Sequence, residues 1–176
     1  MKTRNTELRK KILRLRPIGI IRSPFKTVVG MPIQTVFSKK RNGIVELFPE
    51  FKEGLRDLEG FSHIMLIYQF HQSKGYRLVC RPFLDEVQRG VFATRAPARP
   101  NPIGISIVKV KRICGNKIEV ASLDVLDETP LLDIKPYLPR FDAPATKSVR
   151  WFGKALKKKK PRLMADNRFA DKKPGK

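Results

Sequence analysis

A short proline-rich segment, residues 95–104, brings two arginines close together ahead of a predicted strand. It reads RAPARPNPIG, so Arg95 and Arg99 alternate with prolines. Proline fixes its own φ angle and disfavours helical backbone at the residue before it, which predicts a stiff loop that holds both guanidinium groups in place. Preorganised arginines bind carboxylate or phosphate groups. The plain alternative is a proline-rich connection whose arginines are only solvated.

A second segment, residues 124–137, combines carboxylates with turn-forming residues. It reads DVLDETPLLDIKPY, and we expect it to end a strand and enter a turn. Asp127 and Thr129 could simply bond to nearby backbone amides. Carboxylates at the end of a strand can also bind ribose hydroxyls or an ammonium group, so both roles are open at this point.

Two histidines lie eight residues apart on one predicted strand, residues 61–70, and its continuation. His63 falls inside the nearly continuous apolar run FSHIMLIYQF, where a histidine is usually a structural core residue. His71 and Gln72 follow the end of the run, where strand meets loop and functional groups concentrate. We therefore rank His71 above His63 as a functional residue.

Several kinds of site are disfavoured by what the sequence lacks. Cys80 and Cys114 are the two cysteines of the chain and form no CxxC pair, and the histidines form no HExxH motif. We expect no metal site and no disulfide framework, which fits a reducing, cytoplasmic setting. The glycine patterns of dinucleotide-binding folds and of P-loops are also missing.

The elements that must position these residues are mostly short strands. β-branched runs bounded by proline or glycine occupy residues 16–21 and 43–48, and residues 105–113 and 117–125 flank a Gly-Asn turn that predicts a hairpin. The apolar run at 61–70 is typical of a strand buried on both faces, although periodicity alone does not distinguish it from a buried helix. One short helix is predicted at 49–58, with Gly60 past its end. This pattern predicts a mainly β fold, a single compact β-barrel domain with short helices.

The charge of the chain is concentrated at its ends. Lysine and arginine number 38 against 16 aspartates and glutamates, a net charge of +22. Residues 1–16 and 147–176 are the basic parts, which divides the chain into an N-terminal extension, a barrel domain at 17–146 and a C-terminal tail. Such charge favours a polyanionic partner. No apolar run is long enough for a membrane span, so no membrane partner is expected.

Both basic ends are expected to be flexible. Residues 1–16 have the spacing of a narrow amphipathic helix but could equally stay disordered, and residues 155–176 contain too few apolar side chains to fold alone. The lysine block could contact nucleic acid or merely keep the protein soluble. Deleting 1–16 and 155–176 is expected to leave a folded domain that binds small ligands while nucleic-acid affinity falls.

Five strings, in this order, resemble the TsaA-like family, whose characterised members are the TrmO tRNA methyltransferases. They are IGIIRSPFKT at 18–27, MPIQT at 31–35, LEGFSHIMLIYQFHQ at 58–72, GVFATRAPARPNPIGIS at 90–106 and LDETPLLDIKPYLP at 126–139. The resemblance covers residues 17–144. It implies a β-barrel, a homodimer, S-adenosylmethionine as methyl donor, and a transfer to N6 of threonylcarbamoyladenosine at position 37 of tRNA.

The resemblance also implies cofactor-binding residues, carried over by motif. They are Pro32, Ile33, Gln34, His71, Gln72, Arg95, Ile105, Asp127, Glu128, Thr129 and Pro130. Two of them depart from the family pattern, since Ile33 replaces an arginine and Glu128 replaces a glycine at a turn that could require a positive φ angle. The residues expected to contact RNA are Arg99, Lys157, Lys158, Lys159 and Lys160.

In the hypothesis that follows from the resemblance, Arg95 and His71 hold polar groups of the cofactor or substrate. Asp127 and Thr129 hold the adenosine moiety, and Ile105 covers the adenine. The sequence assigns no general base. Two alternatives are a non-catalytic RNA-binding barrel with a vestigial cofactor pocket, and a methyltransferase with a different acceptor.

Overall fold

The computed structural model describes residues 12–38, 41–145, 148–157 and 163–169. Its strands are β1 Gly19–Arg22, β2 Gly43–Leu47, β3 His63–Gln69, β4 Val79–Cys80, β5 Arg89–Gly90, β6 Ile103–Cys114, β7 Lys117–Ala121 and β8 Thr129–Pro136. Its α-helices are α1 Pro139–Asp142 and α2 Arg150–Leu156. Short 3-10 helices lie at Thr35–Phe37, Pro49–Leu55, Leu58–Gly60, Val91–Ala93 and Asn167–Phe169.

Six of the strands close into an antiparallel barrel. The order around the barrel is β1-β2-β7-β6-β3-β8, and β8 pairs with β1 to complete the circle. The two short strands β4 and β5 form a separate ribbon. Closure pairs every barrel strand on both sides, which removes exposed sheet edges. The predicted mainly β barrel with short helices is confirmed.

The barrel interior follows from the alternation of side chains along each strand. On β3, Ile64, Leu66 and Tyr68 are buried, whereas the alternate residues of the strand are partly buried or, at Gln69, exposed. The prediction that both faces of this strand are buried is therefore wrong. Its outer face adjoins β6, where Ile105 is 58% exposed.

The predicted hairpin is formed by β6 and β7. Cys114 pairs with Lys117, Gly115 adopts φ +60°, and the Asn116 side-chain amide donates to the Leu47 carbonyl at 2.6 Å. Glycine adopts this left-handed conformation without the steric cost that a Cβ would bring. The turn therefore also anchors the hairpin to β2.

The short helix predicted at 49–58 is replaced by two 3-10 helices. Phe51, Leu55 and Leu58 all pack on the barrel core, as the spacing predicted. Asp57, not Gly60, adopts the left-handed conformation, at φ 66°, and interrupts the helical run. The side chains face the core as expected, but the backbone between them turns sharply.

The acidic segment at 124–137 also differs from its prediction. The predicted turn is limited to Asp127 and Glu128, and Thr129–Pro136 then forms β8, a full barrel strand between β1 and β3. Leu131 and Thr129 point into the core and are buried. Pro130 and Pro136 made a strand look unfavourable from the sequence, because proline has no backbone N–H to donate within a sheet.

The C-terminal segment predicted to be a flexible tail contains ordered structure where it is described. Helix α2 contacts the barrel domain through Trp151, whose indole Nε1 donates to the Ala93 carbonyl at 3.1 Å. Residues 163–169, called here the C-terminal strap, run alongside residues 30–33 and include the isolated bridge between Pro32 and Met164. The predicted N-terminal helix lies mostly outside the described residues, and residues 12–18 are irregular.

Gly104 on β6 provides a test of how tightly the barrel is packed below the loops. A Cβ at this position would lie 2.4 Å from the ring of Tyr68, which is itself buried and packed edge-on against Phe70. We expect Gly104→Ala to lower the free energy of unfolding by about 1–3 kcal/mol in urea denaturation. Gly54→Ala is the matched control, since no heavy atom lies within 4 Å of its added methyl. Equal losses in the two variants would contradict this packing argument.

Candidate functional site

A cavity of about 520 Å³ opens at one end of the barrel. Its walls come from the loop before residue 35, the end of β3, the proline-rich loop, the start of β6, the segment before β8 and the C-terminal strap. Nine of the residues singled out from the sequence line it: Pro32, Ile33, Gln34, His71, Gln72, Arg95, Arg99, Ile105 and Thr129. The volume is typical of a site for a ligand the size of a nucleoside.

The two arginines of the proline-rich loop have different surroundings. Arg95 is exposed at the cavity wall, where its guanidinium donates to the Gln34 side-chain oxygen at 2.5 Å. Arg99 turns inward and donates to the carbonyls of Thr94 and Ala96, at 3.2 Å each. Arg99 therefore holds the loop together, which leaves Arg95 as the cation presented to a ligand.

His71 meets Thr129 inside the cavity. Its Nδ1 lies 3.2 Å from the Thr129 hydroxyl, which is buried at the start of β8. His63 lies elsewhere, beside the Ser62 hydroxyl and against the ring of Tyr137, and it does not line the cavity. The ranking of His71 above His63 as a cavity residue agrees with this geometry.

Asp127 stands next to the cavity but does not line it. One carboxylate oxygen accepts a hydrogen bond from the Ser23 amide at 2.9 Å, and the other accepts one from Lys26. Burial opposes ionisation of Asp127, but the bonds from Lys26 and the Ser23 amide outweigh it and hold its pKa below the usual range. In this conformation its carboxylate ties the loop after β1 to the segment before β8.

Glu128 and Pro130 also lie outside the cavity lining. Glu128 adopts φ 60°, the conformation that a glycine would take without strain, and its exposed carboxylate pairs with Arg22 at 3.0 Å. Pro130 pairs with Ile20 in the barrel wall. The side chain of Glu128 therefore lies on the outer surface of this turn and does not line the cavity.

Tyr68, Ser106 and Asp124 form a hydrogen-bonded chain at the cavity wall, and the sequence did not predict that these residues meet. The Ser106 hydroxyl donates to Asp124 Oδ1 at 2.6 Å and lies 3.0 Å from the Tyr68 hydroxyl. Burial raises the pKa of Asp124 to about 6, and burial together with the nearby Asp124 raises the pKa of Tyr68 as well. The available signal was a lone serine, Ser106, on the inward face of a strand rich in isoleucine.

The C-terminal strap supplies a wall of the cavity that the sequence argument placed in a flexible tail. Its backbone pairs with the loop at 30–33: the Ala165 amide donates to the Met31 carbonyl at 2.7 Å, and the Ile33 amide donates to the Leu163 carbonyl at 3.0 Å. Ala165 is buried by this pairing and lines the cavity. Ile33 thus lies where the strap docks.

Arg168 anchors the end of the C-terminal strap. Its guanidinium donates to the Pro82 carbonyl at 2.6 Å, pairs with Asp166, and lies over the Phe83 ring, 5.7 Å from its centroid. Phe169 packs edge-on against the same ring, at 5.0 Å between centroids, and lines the cavity. Charge, stacking and backbone pairing therefore all act to seat the strap.

Other predicted features lie away from the cavity or outside the described residues. Lys157 is exposed and follows α2, whereas Lys158, Lys159 and Lys160 lie outside the described residues. Within the part of the chain that the structure describes, no cluster of three or more His, Cys, Asp or Glu side chains could hold a metal ion. Across the same residues, no helix has the length and apolar character needed to cross a membrane.

Three known proteins are similar to this chain in sequence or in fold. The chain is 54% identical over 143 residues to a probable S-adenosyl-L-methionine-binding protein of Pyrococcus abyssi, covering 81% of this chain and 78% of that protein. It is 42% identical to the tRNA (adenine(37)-N6)-methyltransferase of Escherichia coli, covering 69% of this chain and 56% of that enzyme. The crystal structure of TrmO from Pseudomonas aeruginosa superposes with a TM-score of 0.69 at 38% identity, covering 80% of this chain and 62% of that chain.

The family comparison agrees with these similarities. Residues 20–143 match the tRNA-methyltransferase O N-terminal domain. That range runs from the second residue of β1 past the end of α1 and so contains all of the barrel strands except Gly19. The chain belongs to the tRNA-methyltransferase O N-terminal domain family.

Proposed function

We propose that this protein is an S-adenosylmethionine-dependent methyltransferase that acts on N6 of adenosine 37 in tRNA, with threonylcarbamoyladenosine as the acceptor base. The observation that carries the proposal is the cavity that gathers Gln34, His71, Arg95, Ile105 and Thr129 from five parts of the chain. The names of the relatives in Pyrococcus abyssi and Escherichia coli support the methyl donor and the tRNA acceptor.

The residues around the cavity fit the chemistry of S-adenosylmethionine. Phe70 and Ile105 provide apolar surface for an adenine ring, and Thr129 and His71 offer polar atoms for hydroxyl or amino groups. Arg95 suits the carboxylate of the methionine moiety. Bound there, the cofactor would supply a methyl group already activated on a sulfonium.

In such a transfer, the protein has to align the methyl donor with the acceptor amine. An in-line displacement requires donor and amine to be held at the right distance and angle, with water excluded. The salt-bridged turn at Asp127 and the inward bonds of Arg99 fix two of the loops around the cavity, so little ordering remains to be done when the ligands bind. Arg95 and His71 are proposed to orient polar groups, as the sequence argument expected.

The alternative of a vestigial pocket is less well supported. A barrel that had lost its cofactor site would be expected to fill it, because proteins seldom retain unused cavities of this size. Here the cavity stays open, and the substituted residue Glu128 points away from it. Ile33 removes one cation, but Arg95 remains at the cavity wall.

tRNA is the proposed macromolecular partner. Lys26 and Arg95 both line the cavity and are exposed, so the entrance carries positive charge where a phosphate backbone would pass. Together with the net charge of +22, this favours an electrostatically steered association with RNA. A cytoplasmic location belongs to the same proposal, and Cys80 and Cys114 are both free thiols.

A homodimer is also proposed. The outer face of β6 presents Ile103, Ile105 and Ile107, which are 37%, 58% and 38% exposed, next to the outer face of β3. Ile103 and Ile105 also line the cavity, so the proposed interface would adjoin the site. A continuous apolar strip of this kind is typical of an interface between subunits. Sedimentation velocity on the full chain measures the oligomeric state directly.

Methylation of total tRNA tests the proposed function. The full chain is incubated with radiolabelled S-adenosylmethionine and total tRNA, and the nucleosides are then separated and identified by mass spectrometry. Label in N6-methylated threonylcarbamoyladenosine supports the proposal. Label in another nucleoside points to a different acceptor, and saturable cofactor binding without label points to a different class of substrate.

Arg95 is expected to contribute strongly to cofactor binding. Removing a charged partner of a ligand carboxylate costs about 1.5–3 kcal/mol, so Arg95→Ala should weaken the affinity for S-adenosylmethionine by about ten- to a hundredfold in calorimetric titration. Arg56→Ala is the matched control, because Arg56 is exposed, pairs with Glu53 and does not line the cavity. Unchanged affinity in Arg95→Ala would remove the arginine from the proposed site.

A further inference from the structure

Asp124 is a partly buried carboxylate in the cavity wall, and the proposed binding residues leave it without a role. It lies between β7 and β8, beside His71 and Arg95 in the lining. Its Oδ1 accepts the Ser106 hydroxyl at 2.6 Å, and Ser106 in turn lies 3.0 Å from the Tyr68 hydroxyl. The carboxylate is thus fixed in direction by a chain of buried hydroxyl groups.

Keeping this carboxylate here is costly. Withdrawal from water disfavours its charged form, and within the described residues Asp124 forms no ion pair to compensate. The Ser106 hydrogen bond and the more distant charge of Arg95 offset only part of the burial, so the pKa of Asp124 is raised to about 6. A carboxyl group in a cleft whose pKa lies near the working pH is suited to proton transfer.

The proposed acceptor needs such a group. N6 of threonylcarbamoyladenosine is joined to both the purine ring and a carbonyl, so its lone pair is delocalised and it is a poor nucleophile while it keeps its proton. A carboxylate within hydrogen-bond reach increases electron density on the nitrogen as the proton is withdrawn. The segment between β7 and β8 places Asp124 in the lining of the same cavity that would hold the methyl donor.

We propose that Asp124 is the general base of the methyl transfer, a role that rests on the proposed function. N6 forms a bond to the methyl carbon while the carbon–sulfur bond breaks and leaves its electron pair on sulfur. The N6 proton passes to the Asp124 carboxylate, which later releases it to water. Ser106 and Tyr68 are positioning residues, since they orient the carboxylate through hydrogen bonds.

The charged and titratable groups around Asp124 determine how its activity depends on pH. Tyr68 faces it from β3 and stays neutral, because burial and the nearby carboxylate raise the pKa of the phenol. Arg95 favours the ionised carboxylate from the loop side, and His71 and Lys26 line the same cavity. The ionised base is lost below about pH 6, so kcat/KM is expected to fall as pH drops through that value.

Asp124→Asn tests the proposal, because the amide keeps the shape of the side chain and cannot accept the proton. In tRNA methylation assays we expect kcat to fall by about a hundredfold or more, and the acidic limb of the pH profile to disappear. Calorimetric affinity for S-adenosylmethionine should stay within about threefold of wild type, since the base acts on the acceptor. Asp133→Asn, which changes a carboxylate outside the cavity, is the matched control.

Ser106→Ala provides a second variant that distinguishes positioning from mere support of the fold. Loss of the hydroxyl removes a bond that favours the ionised carboxylate, so the acidic limb should move to higher pH while the reaction remains measurable at alkaline pH. A purely structural effect would lower the rate equally at all pH values, and that result would count against the proposal.

Three outcomes would overturn the inference, and they are distinguishable. If the wild-type protein methylates tRNA and Asp124→Asn does so at more than a third of its rate, Asp124 is not the base. If the variant loses cofactor affinity as strongly as it loses rate, Asp124 binds the ammonium group of the methyl donor instead. If the wild-type protein itself transfers no methyl group to tRNA, both the proposed function and this role are wrong.

Discussion

A chain that ends at Arg162 is expected to bind S-adenosylmethionine about ten- to a hundredfold more weakly than the full chain. It lacks the C-terminal strap, and with it the cavity walls formed by Ala165 and Phe169 and the backbone pairing that holds residues 30–33. Burial of one large apolar side chain contributes about 1.5–3 kcal/mol, which sets the size of the effect. Calorimetric titration of the purified chain measures the change.

The control is a chain that ends at Phe169, which keeps the strap and should bind the cofactor like the full protein. Residues 163–169 contain one acidic residue, Asp166, and one basic residue, Arg168, so the two shortened chains carry the same formal net charge from their side chains. A difference in cofactor affinity between them therefore reflects the strap and not electrostatic attraction. Equal affinities would mean that the strap does not contribute to the site.

This expectation reverses the one that the sequence suggested. The composition of residues 155–176 predicted a segment that cannot fold alone, and that prediction remains reasonable for an isolated peptide. The strap does not need to fold alone, because the loop at 30–33 offers it a ready backbone edge and Phe83 offers a ring for stacking. Contacts between segments 130 positions apart leave no local trace in composition or periodicity.

Much of the candidate site was predictable because its residues fall at visible boundaries. Arg95 stands in a loop stiffened by proline, His71 follows the end of an apolar run, and Thr129 occurs in a polar turn. Such positions can be recognised locally, since loops at strand ends carry most binding groups. The closed barrel then brings all three to one cavity.

The contacts between Asp124, Ser106 and Tyr68 were harder to predict from the sequence. Ser106 pairs with Leu66, and Tyr68 pairs with Gly104, so the contact between the two hydroxyls depends on the exact register of β3 and β6. A shift of one residue would turn Ser106 to the outer face. The hydrogen bond from Ser106 to Asp124 further requires that the chain bend after β7, and no short-range sequence pattern specifies this bend.

Asp124 also makes a prediction about stability that is independent of catalysis. An acid whose pKa is raised on folding, here from 3.8 to about 6, binds its proton more tightly in the folded state. The folded protein is thus favoured most below the unfolded pKa, and this contribution is lost as pH rises through the folded pKa. Ionised Asp124 should therefore destabilise the native protein by up to about 3 kcal/mol at neutral and alkaline pH.

Asp124→Asn removes that cost and should be more stable than wild type at about pH 8 but not at about pH 4, where Asp124 is largely protonated in the folded protein. Urea denaturation at several pH values measures the difference in stability. Asp133→Asn, which replaces a partly exposed carboxylate that pairs with Lys135, should show no such trend. A variant that gains stability while losing turnover identifies a group retained for function at the expense of the fold. Lower stability of Asp124→Asn at every pH would instead show that the carboxylate supports the barrel, and its burial would then need no catalytic explanation.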